Sequence, residues 1–201
     1  MSVLARSFYR RPTVEVARAL LGHLLVRSVG GGLLVARIVE TEAYVGEEDP
    51  ACHAACGRTA RNAVMYGAPG HAYVYFTYGM HHCLNVVTER EGFPAAVLIR
   101  AAEPRWGQER MRAARGLGPR AAPTLVASGP ARLAQAFGLT RRHNGLDLAD
   151  PRGELRVERG GRRRGEKIGV STRVGIRVGA DRPWRFFLEG NPHVSRGPRA
   201  K

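Results

Sequence analysis

Two apolar runs, His23 to Val29 and Leu33 to Tyr44, are separated only by Gly30, Gly31 and Gly32. Three glycines between two extended-type runs are a hairpin signal. A connection this short joins two strands only in the antiparallel sense, and that constrains the fold more than any other feature. The pattern recurs. Ala72 to Tyr78 and His81 to Thr88 flank Gly79, and Ala95 to Ala101 reads as another strand. Leu155 to Val157, Val174 to Val178 and Pro183 to Leu188 are expected short strands. Helices fall between these groups. One runs from Thr13 as N-cap toward Gly22, a second covers residues 103–115, and a third runs from Pro130 at its first position to about Phe137. Hairpins with helices between them give an α+β single domain over residues 1–201, with a largely antiparallel sheet.

Composition narrows the class of partner. Lys+Arg is 32 and Asp+Glu is 17, so the formal net charge is +15. An excess of that size points to a polyanion, although a generally basic surface and a codon bias toward arginine also produce it. The only lysines are Lys167 and Lys201. No run approaches the roughly 18–20 apolar residues of a membrane span. Met1 to Arg11 is basic but lacks the continuous apolar core of a secretory signal. Three cysteines, an odd number, argue against a disulfide framework.

Within Arg37 to Tyr44 the strand ends in two carboxylates and a tyrosine. Side chains at i and i+2 share a face, so regular alternation puts Ile38, Glu40, Glu42 and Tyr44 together. Two acids that close repel, which raises the pKa of at least one. Such pairs serve hydrolysis of glycosidic bonds. The plainer alternative is a solvated strand end paired with nearby arginines. In the first half of the next hairpin, Tyr73 and Tyr75 share one face while Val74, Phe76 and Tyr78 share the other. Tyr78 precedes Gly79 and is expected at the hairpin tip, where a side chain can wedge into a base stack.

The segment Val45 to Gly70 is polar and punctuated by glycine and proline, a functional or partly helical loop. It carries Arg58 and Arg61, which with Met80 just past the hairpin turn are candidate contacts to a nucleic-acid backbone. Arg162, Arg163, Arg164 and Lys167 form the densest basic run, either a phosphate contact or a mobile surface. Cys52, His53, Cys56, His81, His82 and Cys83 invite a zinc reading, but consecutive strand residues cannot all point at one ion. No metal and no cofactor is expected.

With these residues in view, the chain resembles the methylpurine-DNA glycosylases, the alkyladenine or 3-methyladenine glycosylases built without a helix-hairpin-helix. The resemblance rests on Phe8-Tyr9 with Arg11-Pro12-Thr13, Arg37 to Tyr44, Arg61-Asn62, Pro69-Gly70, Tyr73 to Tyr75, Tyr78-Gly79-Met80, Cys83 to Asn85, Leu98 to Pro104, Ser128 to Pro130 and Arg173 to Ile176. It implies a mixed fold around a curved antiparallel sheet. It also implies a monofunctional enzyme that flips damaged purines out of duplex DNA and hydrolyses the N-glycosidic bond, leaving an abasic site for base excision repair. 3-Methyladenine is the expected lesion, with 7-methylguanine, hypoxanthine and ethenoadenine as further candidates. By the same resemblance Glu42 is the general base and Arg100 helps hold the attacking water. Tyr44, His53 and Tyr75 grip the flipped base, Asn85 disfavours guanine, and Leu98 lies near the pocket floor. Tyr78 fills the gap in the duplex. The partner is double-stranded DNA and no membrane, and the working unit a monomer. The compartment is cytoplasmic in a prokaryote and nuclear in a eukaryote. His81-His82 stands where an aromatic pair occurs in animal members, and Ala131-Arg132 follows Pro130 where Gly-Lys or Gly-Arg is common.

Three other classes remain open on the residues alone. A non-catalytic binder of damaged DNA would share the charge and the wedge. A metal-dependent nuclease would use Glu40, Glu42 and Asp49 as magnesium ligands. An RNA-binding module would ordinarily carry a recognisable RNA motif, and none is visible.

Overall fold

The computed structural model describes residues 2–77 and 79–198. The two runs around Gly30 to Gly32 form the expected hairpin, β1 (Leu24–Val29) and β2 (Gly32–Val45). The second forms β3 (Ala72–Thr77) and β4 (His81–Val87), turning at Gly79, whose φ of 67° favours glycine. Then come β5 (Ala95–Trp106), β6 (Leu155–Glu158), β7 (Ile168–Ser171) and β8 (Arg185–Leu188). The order is β3-β4-β5-β2-β1-β6, with every pairing among the described residues antiparallel. Where β1 stops pairing with β2, β8 takes over the same edge opposite Glu40 to Glu42 and brings β7 with it. The sheet is curled, and the fold is α+β.

Period-two alternation assigns the two faces of this sheet. Ala43, Val74, Leu84, Val86, Val97 and Ile99 enter the main apolar cluster together with Val16, Ala17 and Leu133 from the helices. Their neighbours Tyr73, Val87 and Ala96 lie in a smaller cluster with Cys52, Ala54 and Met65, and Tyr44 and Tyr75 pack on it. The long polar loop after β2 covers this second face. It contains two short 3-10 turns, His53–Cys56 and Ala63–Tyr66.

Four expectations are corrected. Helix α1 (Arg6–Tyr9) precedes α2 (Thr13–Ala19), and Thr13 is the first helical residue of α2 rather than its cap. Its N–H and hydroxyl both donate to Glu89, at 3.1 and 2.5 Å, so a carboxylate from the β4–β5 turn satisfies the helix start. Gly22, expected to stop this helix, lies just past it at φ 91° and donates to the Ile38 carbonyl. A Cβ there would stand 2.5 Å from the Gly161 carbonyl carbon.

The helix over 103–115 is shorter, with α3 spanning Gln108–Ala114, because β5 continues to Trp106 along β2. Ladder bonds to a long partner strand override local helix propensity here. Helix α4 (Pro130–Ala136) matches its expected span. Val174 to Val178 is not a strand. The strand lies earlier, as β7 against β8, and the chain then turns through Gly175 and Gly179 at φ 77° and 59°.

Finally, β2 does not alternate regularly through its acids. Ile38 faces Ala102 and Glu40 faces Ala101, so Val39 is one residue too many on β2. Both Ile38 and Val39 therefore enter the main cluster, and Ile38 does not join Glu40 and Glu42. In the basic run, Glu166 is tied to the buried Arg37 by a two-pronged ion pair, which holds its carboxyl at about 2.

Candidate active site

The acids at the end of β2 are not a solvated strand end: Glu40 and Glu42 are both fully buried. A buried carboxylate needs a full set of partners. Strand β5 supplies the main one. Thr41 faces Ile99 and Glu40 faces Ala101, so Arg100 is an extra residue on β5 without a facing partner. That bulge delivers its guanidinium to both acids. Nε donates to Glu40 Oε1 at 2.9 Å, Nη1 to Glu42 Oε2 at 3.3 Å, and Nη2 to Ser195 Oγ at 3.3 Å.

Glu42 has two further donors. The Val174 N–H reaches Oε1 at 2.7 Å and the Tyr44 hydroxyl reaches Oε2 at 2.8 Å. Each carboxylate oxygen has about two acceptor sites, so Oε1 retains one for a further donor. Burial pushes the Glu42 carboxyl up. Arg100, the Val174 N–H and the Tyr44 hydroxyl oppose that rise, and Glu40 adds a smaller increment in the same direction as burial. The sequence anticipated a raised carboxyl through acid–acid repulsion; burial is the larger cause. Burial also works against charge on Arg100, but Glu42 and Glu40 outweigh it and hold the guanidinium charged.

In front of this cluster lies a cavity of about 330 Å³. That falls within the roughly 300–1,000 Å³ typical of small-molecule sites. Glu42 does not line it; Tyr44, Arg100 and Val174, which hold the carboxylate, do. The other walls come from alternate residues of three strands. Tyr73, Tyr75 and Thr77 come from β3, Cys83 and Asn85 from β4, and Ala96 and Leu98 from β5. The loop after β2 contributes His53, whose Nδ1 lies 2.8 Å from the Tyr73 hydroxyl and whose ring meets Tyr75 edge-on at 4.4 Å. Asn62 fixes the loop by donating to the His53 and Gly57 carbonyls. Burial, helped by the Arg61 charge, pushes the His53 imidazole down, so it is neutral at pH 7. Burial raises the phenols of Tyr44 and Tyr75, and lifts Tyr73 to about 12, so all three keep their protons. The Asn85 amide donates to the Tyr73 carbonyl at 3.0 Å, which fixes its orientation at the wall.

Seven of the sequence-derived site residues are thus brought together: Glu42, Tyr44, His53, Tyr75, Asn85, Leu98 and Arg100. Three of the others lie outside the cavity wall. Arg58 is exposed, its guanidinium over the Tyr66 ring, and Arg61 donates to the Phe76 carbonyl with its guanidinium 5.4 Å from the Tyr75 ring. Met80 is 69% exposed beside the hairpin turn. Tyr78 lies outside the described residues. All three cysteines are free thiols, and Cys56 is exposed.

Sequence reasoning offers Asp49 only as a magnesium ligand of an alternative class and Arg173 only within the family match, and presents neither as a support of this site. Asp49 pairs with the buried Arg173 through both oxygens, at 2.5 and 2.8 Å, and Arg173 also donates to the Ala43 and Gly179 carbonyls. This clamp sets Val174 against Glu42. Arg185 bonds Glu40 at 2.7 Å and Ser171 at 2.9 Å. The one available signal was the match at Arg173 to Ile176; isolated arginines and serines carry no period.

A model of the family described as Methylpurine-DNA glycosylase (MPG) matches residues 7–192. Relatives at about half identity span nearly whole chains. A Methanocella arvoryzae protein named "Putative 3-methyladenine DNA glycosylase" is 52% identical over 200 residues, 98% of this chain and 97% of its own. Proteins of the same name from Carboxydothermus hydrogenoformans and Myxococcus xanthus are 49% and 48% identical. These alignments cover 96% and 98% of this chain, and 99% and 96% of the relatives.

Proposed function

Since the chain belongs to the methylpurine-DNA glycosylase family, we propose that it is a monofunctional glycosylase releasing 3-methyladenine from duplex DNA by hydrolysis. The observation that carries this reading is the Glu42 carboxylate, held by Arg100, Val174 and Tyr44 immediately behind an aromatic cavity.

The chemistry follows from those groups. A water at the boundary between Arg100, Val174 and Tyr44 donates to the open site on Glu42 Oε1 and presents its oxygen to the sugar. As the oxygen bonds to C1′, the C1′–N bond breaks and its electron pair leaves with the purine. The water proton passes to Glu42, and the sugar is left as a hydroxylated abasic site. An alkylated purine carries positive charge while attached to the sugar, which makes it a good leaving group. Aromatic faces attract such a ring by about 0.5–2 kcal/mol. Tyr44, His53 and Tyr75 are the gripping residues in this reading. Asn85 rejects guanine's exocyclic amine, and Leu98 forms the floor. Neutral lesions such as hypoxanthine lack that charge and leave more slowly.

To reach the cavity a base must leave the stack, at a cost of a few kcal/mol. Tyr78 fills the space it vacates, and Arg58, Arg61 and Met80 meet the backbone. The net charge of +15 makes binding strongly dependent on salt. A monomer is the working unit in this reading. The relatives come from bacteria and archaea, and the expected workplace is the nucleoid.

A lyase step would need an amine to form a Schiff base, and among the described residues no lysine lies at the site; Lys201 lies outside them. Lys167 precedes β7 at the end remote from Ser171, roughly 13 Å along the strand from the Arg185–Glu40 pair.

The test is to incubate the purified protein with methylated duplex and with hypoxanthine-containing duplex, then identify freed bases by mass. Release of 3-methyladenine without strand cleavage is expected. Absence of any freed base, or cleavage lost on Lys167→Ala, contradicts the reading.

A further inference from the structure

The guanidinium of Arg100 spends its three nitrogens on three different residues, and only one of them is Glu42. The other two, Glu40 and Ser195, are bonded to each other. Ser195 Oγ donates to Glu40 Oε1 at 2.8 Å, and its N–H donates to Glu40 Oε2 at 2.7 Å. A hydroxyl has one proton, so Ser195 gives it to Glu40 and accepts from Arg100. Arg185 closes the ring. Its Nε donates to Glu40 Oε1, its Nη2 to the Ser195 carbonyl at 3.2 Å and its Nη1 to the Pro198 carbonyl at 2.8 Å. The segment is seated hard against these groups. A Cβ added at Gly197 would come 2.7 Å from Val174 Cγ2 and 3.1 Å from Arg185 Cζ. Ser195 also lies beyond residues 7–192, the part of the chain that matches the family model.

We propose that Ser195, bonded to Arg100 directly and to Glu40 beside it, is a positioning residue that holds the Arg100 guanidinium against the Glu42 carboxylate. The inference rests on Glu42 being the base. Glu40 is too far back to touch a substrate: it is fully buried, and its two oxygens accept four bonds, from Arg100, Arg185 and twice from Ser195. Its service is to fix one side of Arg100 so that Nη1 faces Glu42. Ser195 fixes the other side. Without its hydroxyl Nη2 loses its acceptor, the guanidinium can rotate off Glu42, and the carboxylate loses its nearest cation.

The experiment compares single-turnover base release and abasic-site binding across pH for wild type, Ser195→Ala, Ser195→Thr and Glu42→Gln. Ser195→Ala should slow release roughly tenfold, the loss expected from one hydrogen bond in a charged network. It should also move the acidic limb of the rate profile to higher pH, because a carboxyl deprived of its cation ionises later. Abasic-site binding should hold within about twofold, which is only a few tenths of a kcal/mol. Ser195→Thr, which keeps the hydroxyl, should restore both rate and limb. A rate loss equal at every pH, or no loss, overturns the proposal if Glu42→Gln is inactive. If Glu42→Gln remains active, the assignment of the base is wrong and the role of Ser195 falls with it.

Discussion

Asn85 and Glu42 flank the same residue, Leu98, from opposite sides of β5. Neighbouring strands lie about 4.8 Å apart, so this register holds the candidate base-reading amide and the candidate base on one sheet face, roughly 10 Å apart. Tyr73 extends the row on β3 and Arg185 on β8. A site laid across four ladders cannot drift, because shifting any strand by one residue would turn its side chain to the other face. Rigid placement of this kind is what a hydrolytic centre needs from its fold.

The pH dependence of base release follows from Glu42. Its carboxyl is raised by burial, and under the proposed reading the ionised form is the active one. Rate should therefore rise with pH through a limb displaced above the ordinary glutamate value, then level off. A single-turnover profile at constant ionic strength measures the limb. A midpoint at or below that of a free glutamate would contradict the assignment.

Tyr44→Phe isolates the hydroxyl from the ring. The ring stays in the cavity wall, while Glu42 Oε2 loses a donor at 2.8 Å. That donor favours the ionised carboxylate, so its loss should move the acidic limb to higher pH. Affinity for abasic-site DNA should change little.

Arg100→Ala strands two buried acids together. Breaking a buried pair by removing one partner costs about 3–5 kcal/mol. Arg185 and Ser195 still serve Glu40, so a loss near 3 kcal/mol is expected in a urea titration. An unchanged midpoint would mean the pair contributes nothing to the fold.

The Asp49–Arg173 clamp gives a stability effect of defined sign. Burial alone would raise the Asp49 carboxyl, but Arg173 and the Val45 and Ala51 N–H groups outweigh it and bring it below the ordinary value. The stabilisation is thus fully present above the unfolded pKa and is lost as pH falls through the folded one. Asp49→Asn should lower stability at pH 7, and the gap from wild type should narrow in acid. It should also slow base release by loosening Val174. Parallel melting curves at pH 7 and pH 3 check this; a gap that widens in acid would contradict it.

Much of this architecture is legible in the residues. Gly30 to Gly32 announces the first hairpin, and Tyr73, Val74 and Tyr75 divide between cavity and core as alternation requires. Other features depend on partners that a sequence does not display. Val39 and Arg100 are extra residues only relative to the strand each faces, so neither bulge has a local signature. Val174 to Val178 alternates like a strand, yet its first N–H is spent on Glu42 and glycine turns follow. Arg185 and Ser195 matter through Glu40, far away in the chain, and nothing in their neighbours marks them.

The most direct test is single-turnover release of 3-methyladenine by Glu42→Gln beside binding to abasic-site duplex. The substitution keeps the side chain's size and removes the charge that accepts the water proton. General-base catalysis contributes about 10²–10⁴-fold, so release should fall by at least ~100-fold while abasic-site affinity stays near wild type. Release at a rate close to wild type would show that this carboxylate does not drive the reaction.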